Sequence, residues 1–303
     1  MRRLLAAAML MAAATMAATD ARAADKPITI AIYAPNAPFQ SGADRFTFVN
    51  RLAQQVSSVV GVPATGKAFA RAADLELAIK NKQVDFAVVD GVYLAERGVP
   101  YAVLATATSD GDTAPRWGLF SKTATKVDEL QGKKLSIATS GSRDSDFASN
   151  ALFDGELQVG KFFAGQSKAP DIASAVAAVS LQKADAVFAP ESMGKSLKKV
   201  FDVRDRVPNP AFCEVASGMS PDLVNKVKAA VLSHGAGGAL DGWKPSSAEP
   251  YRALQGRMAP RVRRPVMVEP EPVRLEEQDV LVPPPLEPAM PEMKALYWQP
   301  SAQ

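Results

Sequence analysis

The sequence predicts an α/β protein built on largely parallel sheets. Three observations lead there. Short apolar runs alternate with stretches whose apolar residues recur every three or four positions. The alternation breaks at the turn-rich Ser109-Asp110-Gly111-Asp112 and then restarts, which points to two units of similar construction. Near the middle, Lys134-Leu135-Ser136-Ile137-Ala138 runs through Thr139-Ser140-Gly141-Ser142-Arg143 into a helical pattern over residues 144–152. Such strand-to-helix junctions are what parallel sheets are made of.

In chain order, residues 28–33 read as the first strand and the proline-bearing residues 34–38 as a loop. Residues 43–60 form a helix with Phe46, Val49, Leu52, Ala53, Val56 and Val59 on one face. Residues 64–70 fit a second strand and 73–81 a second helix. Residues 84–90 are a buried strand closed by Gly91, followed by a short helix over 92–98 with a glycine stop and a strand over 101–107. The second unit opens on the strand Trp117-Gly118-Leu119-Phe120. Beyond the central junction come a helix over 172–182 with Ile172, Val176, Val179 and Leu181, and a strand over 184–189 closed by Pro190-Glu191-Ser192. A helix over 193–200 is expected next, and residues 201–214 return towards the first unit. Ser220 caps a helix that has Pro221 in its first turn and Leu223, Val227, Ala230 and Val231 as its stripe.

The N-terminus has the build of an export signal: basic Met1-Arg2-Arg3, an apolar, alanine-rich stretch over residues 4–18, and the small-x-small Ala21-Arg22-Ala23. The apolar stretch is too short and too alanine-rich to span a bilayer, and no cysteine follows it for lipid attachment. Residues 1–23 are therefore expected to be removed, leaving a soluble periplasmic protein. Of the formal net charge of +3, Arg2, Arg3, Arg22 and Asp20 account for +2. The remainder is nearly neutral, which is no footprint for nucleic acid. Cys213 is the only cysteine and His234 the only histidine. Internal disulfides and cysteine-rich metal sites are excluded on that count, a histidine-based metal site or a Ser-His-Asp triad nearly so, and no cofactor or metal is expected.

The central junction carries the chemistry. A helix that starts there leaves its first backbone N–H groups without intrahelical partners, and its positive end faces the turn. Gly141 lets a ligand approach the backbone, and the hydroxyls of Thr139, Ser140 and Ser142 add donors. The turn thus suits an anion; the alternative is that Ser140 or Ser142 simply caps the helix.

Leu130-Gln131-Gly132-Lys133-Lys134-Leu135-Ser136-Ile137, Val84-Asp85-Phe86-Ala87-Val88-Val89 and Ala184-Asp185-Ala186-Val187-Phe188 resemble motifs of type 2 periplasmic binding proteins. Their spacing is most similar to the phosphate/phosphite/phosphonate-binding branch, the substrate-binding subunits of ABC importers. The resemblance covers roughly residues 28–254. It implies a two-lobed fold, each lobe a mostly parallel sheet flanked by helices, with the ligand in a cleft between lobes that close by a hinge motion. Lobe 1 would be residues 24–113 with 208–259, and lobe 2 residues 114–207. It further implies a monomer that captures a small anionic solute without catalysis and hands it to an ABC permease or another envelope protein. Carried onto this chain, the ligand-binding positions are Tyr33 after the first strand, Asp90, Gly91 and Tyr93 at the helix start after the third, the turn Thr139, Ser140, Gly141, Ser142 and Arg143, and Glu191. The cleft would also hold the acids Asp144 and Asp146, with Arg116 and Arg143 as nearby cations. Acids beside an oxyanion fit an amino-phosphonate, another zwitterion or a ligand that is not a phosphorus compound; capping is the alternative role for Asp90 and Glu191.

Residues 260–303 differ in kind. They hold ten of the chain's 23 prolines, including Pro283-Pro284-Pro285, and show neither helix nor strand period. They read as an extended, disordered tail, with Tyr297-Trp298 as an aromatic anchor if it binds a partner. The tail admits a second function, a periplasmic ligand sensor or adaptor docking through it. A third, an enzyme, would need Cys213 as nucleophile, and Phe212-Cys213-Glu214-Val215 supplies no histidine to activate it.

Overall fold

A computed structural model describes residues 26–260 except residue 236. The expected export signal and nearly all of the proline-rich tail lie outside the described residues. The first strand, β1 (Ile28–Tyr33), lies between β2 (Ala64–Ala68) and β3 (Phe86–Val89), all three parallel. Strand β4 (Ala102–Thr108) belongs to the same sheet, separated from β3 by the late strand β10 (Ala211–Glu214), which runs antiparallel to both. A further antiparallel strand, β11 (Gly242–Pro245), closes the edge, giving the order β11-β4-β10-β3-β1-β2. The second sheet has the order β7-β6-β8-β5-β9, from β5 (Trp117–Ser121), β6 (Lys134–Ala138), β7 (Gly165–Ala169), β8 (Ala186–Pro190) and β9 (Lys198–Asp202). Here β6, β7 and β8 are parallel, and β5 and β9 add an antiparallel edge. The fold is α/β with two sheets flanked by helices, as expected from the alternation; the sheets are mixed where largely parallel ones were expected, because β10, β11, β5 and β9 pair antiparallel with their neighbours.

The recurring Asp-apolar motif has a common structural cause in the two sheets. Asp85 N–H donates to Thr29 O at 2.9 Å while its own Oδ2 accepts Thr29 N–H at 2.8 Å. Asp185 does the same with Lys134, at 2.8 Å in both directions. Each carboxylate locks the register of the neighbouring parallel strand at its first residues, so the apolar residues that follow enter the core in phase.

Helix α1 (Gly42–Val60) is started by Ser41, whose hydroxyl accepts Asp44 N–H, and stopped by left-handed Gly61. It buries Phe48, Val49, Leu52, Ala53 and Val56. Phe46 and Val59, expected on this face, are exposed, because they fall at its margins; Leu181, just beyond its helix, is exposed too. A second correction concerns residues 193–200. A short helix, α7 (Glu191–Gly194), gives way to β9, because pairing with β5 along Gly118–Ser121 offers that segment backbone partners that helical propensity cannot outweigh.

The chain crosses between sheets twice, and the two crossings are bonded to one another. Asn209 N–H donates to Thr113 O (2.8 Å), and its Nδ2 to Asp112 O (2.9 Å). Two helices straddle the boundary. From α3 (Gly91–Glu96), Tyr93 and Leu94 pack with the first sheet while Val92 and Ala95 pack with the second. From α9 (Glu249–Met258), Tyr251 joins the first and Leu254 and Met258 the second. No helix among the described residues is long and apolar enough to cross a membrane.

Candidate functional site between the lobes

The two strand-to-helix junctions singled out in the sequence meet across the boundary. On one side β3 enters α3 through Asp90, which is wholly buried. Its Oδ1 accepts Val92 N–H (2.9 Å), Tyr93 N–H (3.3 Å) and Asn36 Nδ2 (3.1 Å), and Oδ2 accepts Asn36 N–H (2.9 Å). Burial raises the carboxyl above the ordinary aspartate range, and these donors oppose the rise. Next to it, a Cβ on Gly91 would run into the backbone carbonyl of Pro208 in the second crossing, so only glycine fits.

On the other side β6 enters a helical segment, α4 (Asp144–Asp146), continued by π-helical residues Phe147–Leu152. The four backbone N–H groups of the turn that leads into it, Ser140 to Arg143, are all taken by carboxylates. Asp144 Oδ1 accepts Ser140 N–H (2.9 Å) and Gly141 N–H (3.3 Å). Glu96, the last residue of α3, reaches across: Oε1 accepts Ser142 N–H (2.9 Å) and Ser142 Oγ–H (2.7 Å), and Oε2 accepts Arg143 N–H (3.2 Å). Asp144 is buried, and its second oxygen has no hydrogen-bond partner among the described residues. Burial, opposed by the two backbone bonds and reinforced by the charge of Glu96, pushes its pKa up to about 6.

The remaining expected residues take three places. Tyr33 donates its phenol O–H to Ser140 O (2.7 Å), with Thr139 O at 3.2 Å, tying the end of β1 to the turn. Burial and the nearby Asp90 and Asp144 push its phenol well above the ordinary tyrosine range. Tyr93 meets the Tyr33 ring edge-on at 5.3 Å and donates to Glu76 Oε1 (2.6 Å). Arg143 turns its guanidinium away from the turn, to Asp146 (2.8 Å) and Met258 O (3.1 Å). Glu191 faces its own lobe, paired with Lys199 at 3.0 Å. Arg116 contributes its carbonyl to Glu191 N–H at 3.0 Å.

A cavity of about 460 Å³ opens beside the turn, lined by Tyr33, Tyr93, Glu76 and Glu96 from one lobe and by Thr139, Ser142 and Lys168 from the other. Lys168 is exposed there and forms no salt bridge among the described residues. Deeper, around Asp90, Pro190 and the crossings, only about 10 Å³ remains. Three participants escaped the sequence reading. Asn36 cross-links Asp90 to Ser140 Oγ. Lys168 lies on β7, a strand with too little apolar content to be noticed. Glu96 did leave a signal: a carboxylate at the C-terminal end of a helix opposes the macrodipole, so an acid there calls for a partner elsewhere.

A thiol nucleophile is not set up at either junction. Cys213 is fully buried within β10, and burial pushes its pKa far up. His234 is half-buried against Phe48, its pKa lowered by burial and by Arg51. No cluster of three or more metal-ligating His, Cys, Asp or Glu occurs among the described residues.

These features define a two-lobed binding-protein fold with its junctions turned towards one another. Solved structures with the same fold include a binding protein component of an ABC phosphonate transporter from Pseudomonas aeruginosa, 12% identical, covering 77% of this chain and 87% of that one with a TM-score of 0.60. PhnD1 from Prochlorococcus marinus, in complex with methylphosphonate, is 10% identical over 76% of this chain and 96% of its own, TM-score 0.60. A Xanthomonas citri protein bound to ATP is 13% identical over 77% and 96%, TM-score 0.54. No protein-family profile and no curated protein matches the chain.

Proposed function

We propose that the protein is an exported solute-binding protein that captures a small oxyanion, of the phosphonate, phosphite or phosphate type, between its lobes for an ABC importer. The observation that carries this reading is the grip of the turn on a carboxylate from the opposite lobe. Two backbone N–H groups and a hydroxyl converge on the two oxygens of Glu96. A tetrahedral oxyanion presents acceptors of the same charge sign and spacing to the same donors. Lys168, at the cavity wall, would supply the countercharge. The cavity has ample room for such a solute, and the fold is shared with proteins whose structures hold methylphosphonate and ATP. The seclusion of Cys213 and His234 from the junctions supports binding rather than catalysis by either of them.

The test is a thermal-shift and calorimetric panel of phosphate, phosphite, alkylphosphonates, aminophosphonates and sulfonates. A ligand that binds only the folded state raises the melting temperature with concentration. A rise with at least one phosphorus oxyanion is expected; no rise across the panel overturns the reading.

A further inference from the structure

We propose that Glu96 is a tethered competitor for the oxyanion site: the carboxylate occupies the turn in the unliganded protein, and a solute must displace it to bind. The inference rests on the turn being the oxyanion site, as above. Four observations support it. First, Glu96 reaches the turn in a bidentate manner, Oε1 on Ser142 and Oε2 on Arg143, which is how an external oxyanion would be held. Second, the turn is contoured for that carboxylate. A Cβ on Gly141 would overlap Glu96 Oε2, whereas the φ of Gly141 is not in the left-handed region, so the backbone itself does not require glycine there.

Third, Glu96 has no cationic side chain to keep it in place. The neighbouring Arg97 pairs with Glu76 at 3.5 Å, and the Arg143 guanidinium is engaged by Asp146 and Met258. Glu96 takes part in no salt bridge among the described residues, and its hydrogen bonds there all come from the turn. A charged group held only by donors that a solute can also use is exchangeable. Fourth, its position at the end of α3 is electrostatically unfavourable for the helix and places it near Asp144, whose charge it disfavours. Release of Glu96 therefore relieves two repulsions while vacating three donors.

Competition of this kind lowers apparent affinity by the fraction of molecules in which the site is free. Calorimetric titration of the purified protein with methylphosphonate and with inorganic phosphate, for wild type, Glu96→Ala and Glu96→Asp, tests it. Glu96→Asp keeps the charge but is one methylene too short to reach the turn. The expected result is that both variants bind about tenfold more tightly than wild type, corresponding to a site free in about a tenth of wild-type molecules. If wild type binds and both variants bind equally or more weakly, the competitor role is overturned while the oxyanion reading stands. If Glu96→Ala gains affinity and Glu96→Asp does not, Glu96 acts through its charge at a distance and occupancy of the turn is overturned. If none of the three binds either anion, the competitor role is overturned for these solutes, and the oxyanion reading stands or falls by the wider panel above.

Discussion

The two junctions that face each other between the lobes are built alike and finished differently. At the start of α3, Asp90 caps its own helix from within, is wholly buried and is further bonded by Asn36. In the turn before α4, the N–H groups of Ser140 and Gly141 go to Asp144, but those of Ser142 and Arg143 go to Glu96 from the other lobe. A local cap forms with its helix and persists as long as the helix does. A cap lent from across a boundary lasts only while both sides hold position. The first junction is thus a structural fixture, and the second is the one at which we propose that a solute binds.

Five substitutions separate the junctions, beginning with the largest effect. Asp90→Ala strands the buried N–H groups of Asn36, Val92 and Tyr93 and should destabilise the fold by about 3 kcal/mol or more in urea unfolding. A loss under about 1 kcal/mol would show that Asp90 is no more a fixture than Glu96 is.

The second concerns pH. The Asp144 carboxyl has its pKa raised from 3.8 to about 6 in the folded protein. A raised carboxyl favours the protonated native state, so this group's contribution declines as pH rises between about 4 and 7, by about 2 kcal/mol. Asp144→Asn should remove that decline, and unfolding curves across this range that keep the same slope in the variant would refute it.

The third and fourth contrast the glycines. Gly91→Ala sets a methyl group against a backbone carbonyl and should cost about 2 kcal/mol. Gly141→Ala meets only the end of a glutamate side chain, which can swing away, and should cost less than about 1 kcal/mol. Equal losses would mean that Glu96 is as fixed as the Pro208 backbone. The smallest effect is at Glu96 itself: Glu96→Gln keeps an acceptor in the turn and should leave the melting temperature within about 2 °C of wild type.

The sequence made the interior of both sheets legible, because β1, β3, β6 and β8 are apolar runs fixed by local composition and by the Asp85 and Asp185 register locks. It concealed the edges. Strand β7, Gly-Gln-Ser-Lys-Ala, and strand β11, Gly-Trp-Lys-Pro, hold their places by backbone pairing and have little apolar signature. Residues 193–200 looked helical because β9 exists only by virtue of β5. The same division runs through the site. The turn at 139–143 could be read, since a strand, small polar residues and a helix are consecutive in the chain. Glu96, Asn36 and Lys168 could not be read as partners, since their distance from the turn closes only in three dimensions.

Helix α3 begins where Gly91 rests on the Pro208 carbonyl and ends at Glu96 in the opposite turn. In mechanical terms it is a lever, with its fulcrum on the chain crossing and its load at the carboxylate. The arm is about 8 Å at 1.5 Å per residue. A roll of about 20° at the fulcrum would carry the far end about 3 Å, as far as a hydrogen bond is long. A rotation of one lobe on the other about that crossing would therefore also draw the carboxylate away from the donors of Ser142 and Arg143.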